Sequence, residues 1–289
     1  MKDTKLSVFT RIGGKYNVRE KIVKFFPPEY KMYVEPFLGG GQVFLEVAGD
    51  PNKKYVVNDK FKDIYDIWRD LKVVSPEKMR SFDWSGSKEK FEKLRDSSPK
   101  TPEERLYRNL YLSYYSIAGT RRSYARKGSV RGQRFLSNIE KLQEIMKNVV
   151  VLNKDYKEVI KKYDSKDTLF YLDPPYTEKG HLYEGQSIDP KELAEVCRKM
   201  KGKFVLSYDI SEAVKEAFQG FDFYRIKLPY TAGEKKSKYE YIITNFGKTE
   251  GGRIERLLFE VDRDPDLEEV LKRDKKAIKN LERLLNLKE

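Results

Sequence analysis

The stretch that most constrains this chain is TLFYLDPPYTEKG, residues 168 to 180. Thr168 to Leu172 are β-branched, aromatic or aliphatic, with charged residues before them and prolines after. Such a run predicts a buried strand. It ends abruptly, because Pro174 and Pro175 can neither donate to a ladder nor continue a helix. Asp173 is left at the strand's carboxyl end, the edge at which α/β sheets hold their ligands. The diproline keeps the backbone extended with its carbonyls turned outward, and Tyr176 follows. A carboxylate acceptor, a fixed carbonyl acceptor and an aromatic face within four residues suit a planar ring bearing an exocyclic NH2. Four letters alone favour a blander alternative, a strand closed by a proline turn with a capping Asp. The rest of the chain has to decide.

The chain is 289 residues long, enough for one large α/β domain and a smaller inserted lobe. Its formal net charge of +13 favours a polyanionic partner, nucleic acid before membrane, since no apolar run reaches spanning length. A merely solvated surface rich in Lys and Glu would spread its charge evenly, and this one does not. Residues 251–289 hold ten Lys or Arg and ten Asp or Glu, so the surplus lies upstream of them. Cys197 is the single cysteine and His181 the single histidine, which leaves neither a disulfide nor a cysteine or histidine metal centre to build. No signal-peptide core or lipidation motif is visible, which points to a cytoplasmic protein.

Along the chain, RIGGKY (residues 11–16) is a glycine turn before a helix expected over Val18 to Phe25, with Asn17 as its cap. MYVEPFLGGGQVFLEV then reads as a short strand, a glycine run at Gly39, Gly40 and Gly41, and a helix from Gln42. That order lets a ligand approach the backbone closely. A second strand, KYVVND, ends in Asp59 about twenty residues on, where nucleotide-binding units place an acid for ribose hydroxyls. From about residue 74 to 137 the αβ alternation lapses. Thr101, Pro102 and Glu104 form a capping box before a helix carrying Leu106, Leu110, Tyr111 and Tyr114 at core spacing. TRRSYARKGSVRGQRF follows, with Arg121, Arg122, Arg126, Lys127, Arg131 and Arg134 and no acid. Its glycines and serines predict a loop that follows a phosphate backbone, with Tyr124 free to stack or wedge.

Alternation then resumes. Ser137 and Glu140 are expected to cap a helix ending near Lys147, and VVVLN is a strand leading to Asp155 and Tyr156. The Asp173 strand is next, then a helix from Pro190 capped by Asp189, the strand KFVLSYD, a helix from Ser211, and the strands FDFYRIKL and YEYIITNF. The loop YTAGEKKSK between those last strands is a second candidate substrate flap. The sum is an α/β fold of about seven mostly parallel strands in a single sheet with one insertion. Residues 1–73 and 138–250 form the catalytic domain, 74–137 the insertion and 251–289 an amphipathic helical tail.

GGKY near the start, EPFLGGGQVF, an acid after the second strand, a basic insertion and then LDPPY, in that order, resemble the Dam-type DNA adenine methyltransferases. The resemblance spans roughly residues 8 to 247 and implies a Rossmann-like methyltransferase fold. It implies S-adenosylmethionine as methyl donor and double-stranded DNA as substrate, with 74–137 as the target-recognition region. Position by position, Arg11, Lys15, Glu35, Pro36, Phe37, Gly39, Gly41, Asp59, Asp155, Tyr156 and Asp173 would hold the cofactor. Asp173, Pro174, Pro175 and Tyr176 would form the catalytic tetrapeptide, with Tyr176 stacked on a base turned out of the duplex. Glu240 and Asn245 fall in the family's late strand motif. The six basic residues and Tyr124 would meet DNA. Two alternatives share the fold: methyl transfer to adenine in RNA or to the exocyclic amine of cytosine, and a catalytically silent nucleic-acid binder. A restriction partner would be a separate polypeptide, and the enzyme itself a monomer or weak dimer.

Overall fold

The computed structural model describes residues 6–9, 13–116, 119–125, 129–175, 188–228 and 238–246. Arg11, Arg126, Lys127, Tyr176, His181, residues 230–237 of the flap and the 251–289 tail lie outside them. Seven strands form one sheet: β1 (Met32–Glu35), β2 (Lys54–Asn58), β3 (Val149–Leu152), β4 (Thr168–Leu172), β5 (Lys203–Asp209), β6 (Asp222–Leu228) and β7 (Lys238–Thr244). Their order is β3-β2-β1-β4-β5-β7-β6. The ladders from β3 through β5 are parallel, and β7 runs antiparallel between β5 and β6.

Alternate side chains feed two cores, as the period of two along a strand requires. Tyr33, Tyr55, Val57, Leu169, Tyr171 and Val205 enter one, while Val34, Val56, Phe170, Leu172, Phe204 and Leu206 enter the other. Every residue of β4 is buried, as its apolar run predicts. The second core is closed by α9 (Tyr156–Tyr163), α10 (Pro190–Arg198) and α11 (Glu212–Ala217). Asp189 caps α10 through its side chain, as expected, and Ser211 caps α11 in the same way.

The first core runs on into the insertion. Trp68 and Leu71 of α3 (Lys62–Leu71) belong to the same cluster as Trp84, Phe91, Leu106, Leu110 and Tyr111. The long helix α6 (Pro102–Tyr114) starts with the predicted capping box, in which Thr101 Oγ1 accepts from the Glu104 amide and Glu104 accepts from the Thr101 amide. Buried Asp70 ties it to α3 through Arg105, 2.6 Å away. The insertion is therefore welded to the sheet and not hung from it.

Three local expectations are corrected. The first helix, α1, covers Arg19–Val23 with Val18 at its N-cap, and Asn17 does not cap it. Residues 129–136 form a helix, α7, where a loop was expected: Gly132 packs against the Trp84 ring, and Phe135 and Leu136 are buried. Ser137 then accompanies the end of α7, its hydroxyl donating to the Gln133 and Arg134 carbonyls, so it does not start α8 (Ile139–Met146).

Candidate active site

Sheet order fixes where a ligand can sit. The chain runs outward from β1 to β2 and β3, then returns to place β4 on the other side of β1. The β1/β4 boundary is thus a switch point, where connections leave in opposite directions and open a crevice at the strands' carboxyl ends. A cavity of about 600 Å³ lies there, within the usual range for small-molecule sites. Lys15, Glu35, Pro36, Phe37, Gly39, Asp59, Asp155, Tyr156, Asp173, Pro174 and Pro175, all singled out from sequence, line it.

One wall is the turn after β1. Asp59 draws this turn in, accepting from the Gly39 amide (2.8 Å) with one carboxylate oxygen and from the Phe61 amide (2.9 Å) with the other. The Trp68 indole N–H donates to the Gly39 carbonyl at 3.0 Å. Gly41 has φ +62, and a Cβ there would lie 2.4 Å from the Trp68 ring. Gly41 lets the turn close on Trp68. Asn58, which sequence reasoning passed over, staples three loops. Its amide N–H2 donates to the Pro36 and Lys154 carbonyls (2.9 and 3.0 Å), and its carbonyl accepts from the Lys154 amide (2.8 Å). Its one sequence signal was its place beside Asp59.

The opposite wall comes from the start of α9. Asp155 caps that helix by accepting from the Lys157 amide, and Lys60 stands 3.3 Å from its carboxylate. The Tyr156 ring lies 5.2 Å from Phe37, making an apolar slab beside the cavity. Lys157 pairs with Glu192 on α10.

At the β4 end, Lys15 is only 4% exposed. Its ammonium donates to Asp173 Oδ1 (2.8 Å) and the Gly13 carbonyl (3.0 Å), with Glu240 Oε2 of β7 at 3.5 Å. Glu35 is buried as well, and the Tyr33 hydroxyl donates to it at 2.5 Å. Burial pushes the Glu35 carboxyl well above its ordinary range; the Tyr33 bond opposes this and the Asp173 charge adds to it. Among the described residues around the crevice, Lys15, Lys60 and Lys157 face Asp59, Asp155, Asp173, Glu192 and Glu240, so acids outnumber cations there. That sign, the aromatic slab and the ribose-type acid fit S-adenosylmethionine, whose sulfonium and ammonium outweigh one carboxylate.

The basic segment is split. Arg121 turns inward, pairing with Asp63 on α3 while its Nε donates to Ser113 Oγ at 2.9 Å. Tyr124 also packs inward, stacked on Tyr115 at 6.3 Å and edge-on to Phe91 at 5.9 Å. Both side chains thereby anchor the segment, Arg121 to α3 and Tyr124 to the Tyr115 and Phe91 rings. Arg122, Arg131 and Arg134 are exposed, and Val130 beside them is 71% exposed. Because Asp63 lies in the first turn of α3, just past Asp59, the Arg121 pair holds this segment at the sheet edge that carries the cavity.

Residues 12–232 match the family model described as D12 class N6 adenine-specific DNA methyltransferase. A type II methyltransferase of Lactococcus lactis subsp. cremoris is 28% identical over 278 residues, covering 84% of this chain and 96% of its own. A type II methyltransferase of Methanocaldococcus jannaschii is 24% identical, covering 81% and 96%. A DNA adenine methylase of Haemophilus influenzae is 24% identical, covering 81% and 91%.

Proposed function

The chain belongs to the D12 class of N6 adenine-specific DNA methyltransferases, enzymes that use S-adenosylmethionine, and we propose that Asp173 is the acceptor that orients the adenine amine for transfer. Family membership decides for adenine in DNA over RNA or cytosine. The observation that carries the Asp173 role is its position. It stands at the carboxyl end of β4, on the same cavity as Asp59 and the glycine turn, with the Lys15 ammonium 2.8 Å away.

When bound, the cofactor supplies a sulfonium methyl, an electrophilic carbon that needs no further activation. The difficulty lies with the amine, whose lone pair is delocalised into the purine ring. Asp173 and the Pro174 carbonyl accept its two N–H groups, which favours a pyramidal nitrogen with its lone pair aimed into the crevice. Asp173 also takes the proton the nitrogen sheds. A charge-assisted hydrogen bond contributes about 1.5–3 kcal/mol, whereas alignment of two reactants can supply roughly 7–11 kcal/mol. Positioning therefore outweighs basicity. Lys15 meets the methionine carboxylate, Asp59 the ribose hydroxyls through its remaining lone pairs, and Phe37 with Tyr156 the adenine ring. Pro175 keeps the backbone beyond Asp173 extended, and Tyr176 stacks on the everted base.

Arg122, Arg131 and Arg134, with Arg126 and Lys127, follow the phosphates. The type II relatives support a role beside a separate restriction endonuclease, and a single copy of the chain holds a complete set of site residues, which suits a monomer. Among the described residues no helix is long and apolar enough to cross a membrane, and we place the enzyme in the cytoplasm with its DNA.

Asp173→Ala tests the assignment. Transfer of labelled methyl to duplex DNA, read as N6-methyladenine by mass spectrometry, is expected to fall by about a thousandfold or more while DNA is still bound. Full activity of the variant rejects it.

A further inference from the structure

Strand β7 brings a buried carboxylate to the catalytic edge that no step above uses. Because β7 runs against its neighbours, its first residues reach the edge where the parallel strands end: Glu240 pairs in register with Asp209, the last residue of β5. Glu240 is 5% exposed, and its Oε2 accepts no hydrogen bond among the described residues. The Lys15 ammonium is 3.5 Å from that oxygen. A carboxylate buried in a sheet is costly unless a charge compensates it.

The same ammonium compensates Asp173. Its acceptors include the Gly13 carbonyl at 3.0 Å and Asp173 Oδ1 at 2.8 Å, with Glu240 at 3.5 Å. An ammonium set between two carboxylates divides its attraction between them. With Glu240 neutral, the whole charge of Lys15, already bonded to Asp173 Oδ1 at 2.8 Å, would fall on Asp173 and weaken that carboxylate as an acceptor for the adenine amine. We propose that Glu240 is a positioning residue that holds part of the Lys15 charge and so keeps Asp173 available to the amine as an anionic acceptor. This rests on the acceptor role given to Asp173 above.

A double-mutant cycle on the full-length enzyme, at saturating DNA and cofactor, tests it. Glu240→Gln keeps the shape and removes the charge. It is expected to lower kcat by about tenfold or more, with dissociation constants for DNA and S-adenosylmethionine changed less than about threefold. In a Lys15→Met background the same substitution is expected to change kcat less than about twofold, because the group through which Glu240 acts is gone. Glu240→Asp keeps the charge but withdraws it by one methylene. It is expected to lose kcat in the same direction by a smaller factor, and it serves if Glu240→Gln does not fold. Wild-type kcat in the folded variant overturns the proposal, as does an undiminished loss in the Lys15→Met background or an effect confined to KM. Asp173→Ala runs in parallel: if that variant stays active, the acceptor assignment itself has failed. If it is dead while Glu240→Gln is normal, only the role of Glu240 has.

Discussion

The crevice and the inserted lobe manage charge in opposite ways. In the crevice each cation among the described residues is matched: Lys60 stands by Asp155, Lys157 pairs with Glu192, and Lys15 faces both Asp173 and Glu240. Among those described residues acids outnumber cations, although the chain as a whole carries +13. On the lobe, Arg122, Arg131 and Arg134 are exposed on a segment with no acid from residue 120 to 135. One surface attracts a polyanion, and the other locally reverses the field for a cationic methyl donor. A single protein can hold both ligands because the reversal is confined to a buried pocket, where nearby charges dominate over the screened surface.

The largest blow to this contrast should come from the glycine turn. Gly41→Val adds side-chain atoms where even a Cβ would overlap the Trp68 ring, at a φ of +62 that branched residues avoid. The turn must move, and the Gly39 amide with it, off Asp59. Loss of measurable S-adenosylmethionine binding by calorimetry, with DNA affinity within about threefold of normal, is the expected outcome. If DNA affinity falls in step, the two regions are not separable.

The arginines allow a sharper cut within the lobe. Arg131→Gln with Arg134→Gln is expected to reduce the steepness of DNA binding against log salt by about two, one for each phosphate no longer neutralised. Thermal stability should not change. Arg121→Gln should do the reverse: it leaves the salt slope alone and destabilises the fold by about 1–2 kcal/mol in urea unfolding, since it removes the pair with Asp63 and the bond to Ser113. A salt slope that followed Arg121 instead would invert the division drawn here.

That division also marks what was legible in the sequence. Asp173, Asp59 and the glycine turn could be read because strand ends are punctuated by chemistry: prolines, glycines and an acid stop a β-rich run at a defined place. The seven strands and the Thr101 capping box were legible for the same reason, since period and caps are local properties. The inward turn of Arg121 and Tyr124 was not, because Asp63 lies 58 residues away in sequence and nothing in TRRSYARKG marks one arginine as different from the next. Helix α7 was missed because its glycine and serine suggested a loop, yet Gly132 is where the helix must press against Trp84. Glu240 and Lys15 meet only once β7 is reversed and inserted between β5 and β6, a matter of topology that no window of residues contains.

The smallest expected effect concerns which acids make up the surplus. Burial, more than any neighbour, raises the Glu35 carboxyl well above its usual 4.5, so it holds a proton in the folded chain at pH values where the unfolded chain has lost it. Folded protein then binds more protons than unfolded, and stability must fall as pH rises from about 4.5 through the folded value. Below 4.5 both states are protonated and the contribution is fully present. Glu35→Gln keeps an acceptor for the Tyr33 hydroxyl and cannot ionise. Its urea midpoint should therefore decline less than that of the wild type between acid and alkaline pH. Its affinity for S-adenosylmethionine near pH 4.5, where the raised carboxyl still holds its proton, should stay within about threefold, because one neutral group replaces another. A loss of tenfold or more would mean that Glu35 is ionised when the methyl donor binds, and that the crevice draws its negative charge from β1 as well as from Asp59, Asp173 and Glu240.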